Sequence, residues 1–273
     1  FASRSIYEIK YFLKISIFKT KTEKNSRKLS KDLYLNGYTL INNFLDENLY
    51  LKVKSFLESQ PEDFAPIKKL ERFDNTSRAH FDLSKYNNDE NILGQFIKVL
   101  KETSLRSNPR YQAYYEEFFG DDDTQGNEEL HIDTFQPTFK MFYYLEDVNA
   151  FPFEYVSGSQ KTNFDNLRFH FFCQLKNYFN LTLKKNIFYI FGIAMPGGSW
   201  RVKNYPYGIA GKEEIKKNLV KFNVKANTLL IANTSGFHRR SDEISNGYKA
   251  SRKMLFIGER SSLFSSILSL ISR

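Results

Sequence analysis

The 273-residue chain has one cysteine, three methionines and four histidines. A single thiol, Cys173, excludes an intrachain disulfide and any multi-cysteine zinc site; it suits a reducing compartment, so a cytoplasmic location is expected. Within "FHFFCQL" Cys173 reads as a buried apolar residue. No apolar run approaches the roughly 20 residues that a membrane span needs. There is no internal repeat, no glycine-rich phosphate loop and no nucleic-acid recognition motif. A nucleic-acid partner is therefore not expected, despite a net charge of +9. The chain starts at Phe1 and not at Met, so residues preceding it are expected to be missing.

Aromatic residues are abundant: 27 Phe and 17 Tyr in a chain that is 41% hydrophobic. This composition predicts a packed, aromatic-rich interior and excludes general disorder. Positive charge concentrates early, in Lys19, Lys21, Lys24, Arg27, Lys28 and Lys31, so residues 1–31 read as a basic segment and linker ahead of a single domain over 32–273. A membrane-surface helix is the alternative for that start, and packing against the domain is preferred.

"GYTLINNF" (37–44) has strand composition, and Asp46 then caps an amphipathic helix with Leu49, Tyr50, Val53, Phe56 and Leu57 on one face. Further helices are expected over Asn91 to Lys101 and Arg110 to Phe119. From Leu130 the pattern changes to short strands between turns: "LHIDTF", "TFKMFYYLEDV", "FEYVSGS", "NIFYIFGIAM", "KFNVKANTLLIANT" and "RKMLFIGER". A helical insertion over about 163–180 interrupts them. Many short strands without βαβ alternation predict a mixed α+β chain with a mainly β core, a β-sandwich or a jelly-roll barrel (double-stranded β-helix, cupin-like), with flanking helices. The core is expected over about 128–260, with "SSLFSSILSLISR" (261–273) as a C-terminal helix.

Two His-x-Asp pairs stand out, His80 with Asp82 and His131 with Asp133. On a strand, residues i and i+2 share a face, so either pair offers an imidazole and a carboxylate to a first-row metal. The pattern alone is weak: with Asp at roughly one position in twenty, four histidines produce it by chance in about one sequence in five. Context separates the pairs. After Asp82 comes the polar turn "LSKYNNDEN", so His80 reads as a surface or capping residue. After Asp133 come a second strand, an "SGS" turn and, much later, His238 at the end of an apolar strand. Arg252 then opens the last strand, and its planar fork suits a carboxylate.

The ordered set His131, Asp133, His238, Arg252 resembles the Fe(II)- and 2-oxoglutarate-dependent oxygenases. "GYTLINNFLDENL", "LHIDTFQPTFKMFYYLEDV", "PFEYVSGSQK", "NTLLIANTSGFHRR" and "RKMLFIGER" are similar to the phytanoyl-CoA dioxygenase-like branch of that superfamily, over residues 37 to 260. The resemblance implies a dioxygenase using Fe(II), 2-oxoglutarate and O2, with iron held by His131, Asp133 and His238. It implies Arg252 at the distal carboxylate of 2-oxoglutarate and Lys140 as a second cosubstrate contact, unless Lys140 is an outward-facing strand residue. Related halogenases replace the carboxylate ligand, so Asp133 favours hydroxylation. Gly158, Ser159 and Gln160 stand where the family often has Gly-Ser-His, and the glycine usual before "PFEYV" is absent; both departures bear on substrate choice. Arg168, Arg201, Lys203, Arg239 and Arg240 would surround the mouth, either receiving an anionic small-molecule substrate or serving as solvated rim charges. Trp200 is a lid residue or a packed aromatic. The alternative is a jelly-roll module that binds a sugar or small molecule without turnover.

Overall fold

The computed structural model describes residues 21–59, 65–66, 76–83, 93–103, 110–119, 130–133, 137–161, 200–201, 217–241 and 251–260. Among the described residues, twelve strands form two sheets in which every pairing is antiparallel. The larger has the order β1-β10-β6-β12-β4-β3-β2. Its strands are β1 (Tyr38–Ile41), β2 (Ala65–Pro66), β3 (Thr76–Phe81), β4 (Arg110–Phe119), β6 (Phe139–Tyr144), β10 (Thr228–Asn233) and β12 (Ser251–Arg260). The smaller runs β8-β5-β11-β7-β9. It comprises β5 (His131–Ile132), β7 (Phe153–Val156), β8 (Trp200–Arg201), β9 (Leu219–Phe222) and β11 (His238–Arg240).

Two cores follow from the two-residue period of the strands. On the outer face of the larger sheet, Met141, Tyr143, Leu229, Ile231, Leu255 and Ile257 meet three helices. These are α1 (Lys21–Leu35), α2 (Glu47–Ser59) and α3 (Gly94–Thr103), which contribute Leu33, Val53, Leu57, Phe96 and Leu100. On the inner face, Phe142, Tyr144, Leu230, Met254 and Phe256 pack with Phe153, Tyr155 and Phe222 from the smaller sheet. Both faces of β6, β10 and β12 are thus covered, which is why they read as nearly continuous apolar runs. The architecture is the jelly roll with flanking helices that the strand pattern predicts.

Local chemistry sets several boundaries. Asp46 Oδ1 accepts the Leu49 N–H at 3.0 Å and caps α2. Gly37, at φ +86°, ends α1, and a side chain there would run into the Tyr155 hydroxyl. Gln160 is buried and its Nε2 donates to the Tyr34 and Leu33 carbonyls, 2.9 and 3.3 Å away, closing the same helix end. Gln160 therefore anchors α1 and does not line the cavity described below.

Three expectations need correction. Arg110 to Phe119 is a strand, not a helix: β4 lies between β3 and β12, with Tyr114 and Phe118 buried on one face and Ala113 and Tyr115 on the other. The polar stretch read as linker is helical from Lys21, because its last turns bury Ser30 and Leu33 against the sheet. His80 does not cap a helix; it lies half-buried on β3, with its Nδ1 3.2 Å from Gln112 Nε2 and its ring 4.9 Å from that of Tyr114. The expected insertion over 163–180, the strand "NIFYIFGIAM", Cys173, the C-terminal helix 261–273 and residues 1–20 lie outside the described residues.

Candidate metal centre

β5 and β11 are neighbours in the smaller sheet, and their register sets His131 directly opposite His238, with ring centroids 4.5 Å apart. Two residues beyond His131 along the same face, Asp133 is fixed by its N–H donating to the Thr234 carbonyl at 3.0 Å. Ile132, between them, points away and is 1% exposed. Asp133 Oδ1 lies 3.9 Å from His131 Nε2 and Oδ2 lies 3.4 Å from His238 Nε2. All three ligand atoms fall within 4.8 Å of one another.

The protonation states suit metal binding. His238 Nδ1 is 2.9 Å from the Gly236 carbonyl, which can only accept, so Nδ1 carries a proton and Nε2 is the nitrogen that faces the centre. Burial is the largest influence on the Asp133 carboxyl and pushes its pKa up; Lys140, His238 and His131 together outweigh it and hold the group well below the usual carboxylate range. Lys140 Nζ lies 2.7 Å from Asp133 Oδ2 without hydrogen-bond geometry, so this buried oxygen has no hydrogen-bond partner among the described residues. Two imidazoles and an ionised carboxylate on one side of a cavity match a divalent first-row ion bound facially.

The triad opens into a cavity between the sheets. Phe142, Phe153, Met254 and Phe256 form its apolar wall, with Tyr114 stacked on Phe256 at 4.3 Å. Elsewhere its lining is charged. Arg252, whose side chain is 6% exposed, donates through Nη1 to the Phe151 carbonyl and places Nη2 3.5 Å from Glu116 Oε1. Glu116 is equally buried and accepts from Arg78 Nε at 2.6 Å. Arg240 and Arg252 both lie over the Phe118 ring, at 4.5 and 6.0 Å. Phe151 adopts φ +51°, a left-handed conformation that costs a bulky residue roughly 1–2 kcal/mol. That strained peptide aims its carbonyl at Arg252.

Of the residues marked in the sequence, His131, Asp133, His238, Lys140, Arg239, Arg240 and Arg252 meet at this one cavity. Lys140 points inward, not outward, and its ammonium contacts Asp133. Arg239 is half-buried and paired through Nε with the buried Glu154. Arg201 and Trp200 belong to β8, with Arg201 in register with His131, but their side chains lie outside the described set, as do Arg168 and Lys203 entirely. Sequence reasoning missed Glu116, Arg78 and Tyr144. The available signal was a glutamate within the aromatic run "YQAYYEEFF", which can be buried only if a cation from another strand meets it.

No protein-family model matches the chain, and no curated protein does. Solved structures do share its fold. HygX from Streptomyces hygroscopicus, with nickel and 2-oxoglutarate bound, is 16% identical, over 87% of each chain, with a TM-score of 0.50. The same protein with nickel, 2-oxoglutarate and hygromycin B is 15% identical over 87% of this chain and 88% of that one, with a TM-score of 0.50. The epimerase SnoN, in complex with Fe3+, alpha ketoglutarate and nogalamycin RO, is 10% identical over 87% of this chain and 84% of that one, with a TM-score of 0.51. These likenesses are of fold.

Proposed function

We propose that this chain is an Fe(II)- and 2-oxoglutarate-dependent dioxygenase of the phytanoyl-CoA dioxygenase-like kind, hydroxylating a small organic substrate that carries anionic groups. The observation that carries the reading is the convergence of His131, Asp133 and His238 on one cavity that also holds Arg252. It is supported by the fold shared with HygX and SnoN, whose structures hold a metal and 2-oxoglutarate.

Iron and 2-oxoglutarate, when bound, would supply the oxidising chemistry that couples O2 to cosubstrate decarboxylation and C–H hydroxylation. The chain's residues hold and orient. His131, Asp133 and His238 would take three adjacent coordination positions and leave the others open. The Gly236 carbonyl fixes the His238 tautomer, and Lys140 keeps Asp133 ionised. Arg252 would meet the distal carboxylate of the cosubstrate, while the aromatic wall excludes water. Arg239 and Arg240, joined in the sequence by Arg168 and Arg201, would attract the substrate's charge. A single domain over 32–273 and a cytoplasmic location belong to the same reading. No helix among the described residues is long and apolar enough to cross a membrane.

Anaerobic addition of Fe(II) and 2-oxoglutarate should produce a visible metal-to-ligand charge-transfer band that disappears in Asp133→Ala. Folded protein that shows no band would overturn the proposal. A binding module without turnover is the second reading, favoured by the engagement of two Arg252 nitrogens by Phe151 and Glu116. It predicts ligand binding with no succinate formed from 2-oxoglutarate in air.

A further inference from the structure

The link between β10 and β11, residues 234–237, is buried along its whole length. Its carbonyls act on two members of the metal group that come from different places in the chain. The Thr234 carbonyl accepts the Asp133 N–H at 3.0 Å, and the Gly236 carbonyl lies 2.9 Å from His238 Nδ1. The aim of both side chains therefore depends on how two peptides of one short turn are rotated. A buried turn has no water to satisfy its polar groups, so its shape is set by the partners the protein supplies.

Those partners converge on Asn233, the last residue of β10, which is 4% exposed. Its Oδ1 accepts the Ser235 hydroxyl at 2.8 Å, the Ser235 N–H at 3.2 Å and the Thr138 N–H at 3.4 Å. The bond to the N–H two residues on closes an Asx turn. The Thr138 carbonyl in turn accepts the Thr234 N–H at 2.8 Å, and Thr138 stands two residues before Lys140, whose ammonium contacts Asp133. Without the Asn233 oxygen, three buried donors would lose this acceptor. Buried donors are rarely left unpaired, so the turn would rotate its peptides to find others, and the Thr234 and Gly236 carbonyls would rotate with them.

We propose that Asn233 is a positioning residue for the metal group: its amide oxygen holds the turn in the conformation that aims Asp133 and His238 at a shared centre. Asn233 does not itself line the cavity and acts only through the turn. The inference rests on the metal-binding part of the oxygenase reading and needs neither cosubstrate nor substrate. No sequence motif marks the residue, because "NTSG" has the composition of any turn.

The test uses the full chain with Mn(II) alone, in chelator competition well below the melting temperature of each protein. Asn233→Ala should raise the Mn(II) Kd about tenfold, the usual cost of losing a group that orients a metal ligand. Asn233→Asp keeps an acceptor oxygen in place and should bind at least as tightly as wild type. With Co(II) as the probe, the visible bands should shift in the alanine variant and not in the aspartate one. A purely structural role would lower the melting temperature of Asn233→Ala and leave its Kd and Co(II) bands as in wild type; that result overturns the proposal, as does an equal loss of affinity in both variants. If Asn233→Ala does not fold, Asn233→Ser decides, since a hydroxyl closes the same turn more weakly. A Kd above that of wild type then upholds the proposal, and an equal Kd refutes it. If wild type binds neither ion, the metal reading fails, and imidazole nitrogen NMR of the metal-free proteins decides whether Asn233 positions His238. Faster exchange of the His238 Nδ1 proton in the alanine or serine variant than in wild type upholds that role, and equal exchange refutes it.

Discussion

Asn227 joins parts of the chain that are far apart in sequence, and its replacement by alanine should be among the most damaging single changes outside the cavity. The residue is 7% exposed and sits at φ +59°, in the turn leading into β10. Its Nδ2 donates to the Leu45 carbonyl at 2.8 Å, while Oδ1 accepts the Leu45 N–H at 3.0 Å and the Tyr143 hydroxyl at 2.9 Å. One amide thus fastens the entry to α2 onto the larger sheet. Three bonds at about 1 kcal/mol each give a base of roughly 3 kcal/mol. Leaving buried Leu45 and Tyr143 groups unsatisfied, and holding alanine in the left-handed region, brings Asn227→Ala to about 4–5 kcal/mol. Urea unfolding should show a lower midpoint at unchanged slope. Tyr143→Phe alone should cost about 1 kcal/mol, and the double variant should cost less than the sum of the two singles. A loss below about 1 kcal/mol for Asn227→Ala, or strict additivity in the cycle, would refute the account.

Other outcomes follow from the same geometry. Gly236→Ala would drive a methyl group into the Tyr155 hydroxyl, which donates to the Asn233 carbonyl at 2.8 Å, next to the carbonyl that orients His238. Calorimetric titration should show weakened Mn(II) binding, and wild-type affinity would contradict the proposed orientation of His238. Lys140→Met removes a cation 2.7 Å from Asp133 Oδ2, where an incoming metal would meet repulsion. Mn(II) should bind at least about tenfold tighter to the variant at neutral pH in chelator competition, and equal or weaker binding would refute this. The Asp147 carboxyl is held below its usual range by hydrogen bonds from Lys225 Nζ and the Ala226 N–H. Because its folded pKa is depressed, its contribution is complete above the unfolded value, about 3.9, and is lost as pH falls through the folded one. Asp147→Asn should therefore be less stable than wild type at pH 6 and converge with it once the pH has fallen through the depressed folded value, as read by thermal unfolding at each pH. A pH-independent difference would exclude this linkage.

The sequence showed the site better than its surroundings. His131 and Asp133 were legible because a strand's two-residue period is local, and His238 because it follows the apolar strand β10 across a short turn. The cap at Asp46 and the buried face of α2 were likewise encoded within a few residues. β4 was misread because "RYQAYYEEFF" is covered on both faces and so lacks alternation, while its paired glutamates mimic a helix surface. Glu116 is tolerable inside only because Arg78 comes from β3 and Arg252 from β12, positions 38 and 136 residues away along the chain, respectively. No local pattern encodes such a meeting. The orientation of Lys140 was open for a similar reason: which face of β6 looks inward depends on the partner strands.

The His131–His238 pairing also has a mechanical consequence. β5 is two residues long, and one register pair joins it to β11. A slip by a single residue would turn His131 to the opposite face of the sheet. An ion shared between the two imidazoles would act as a rivet across that short seam, so the strand alignment that creates the site would in turn be locked by its occupant. The melting temperature should then climb with the logarithm of free metal concentration, and heat resistance would report loading without any turnover being measured.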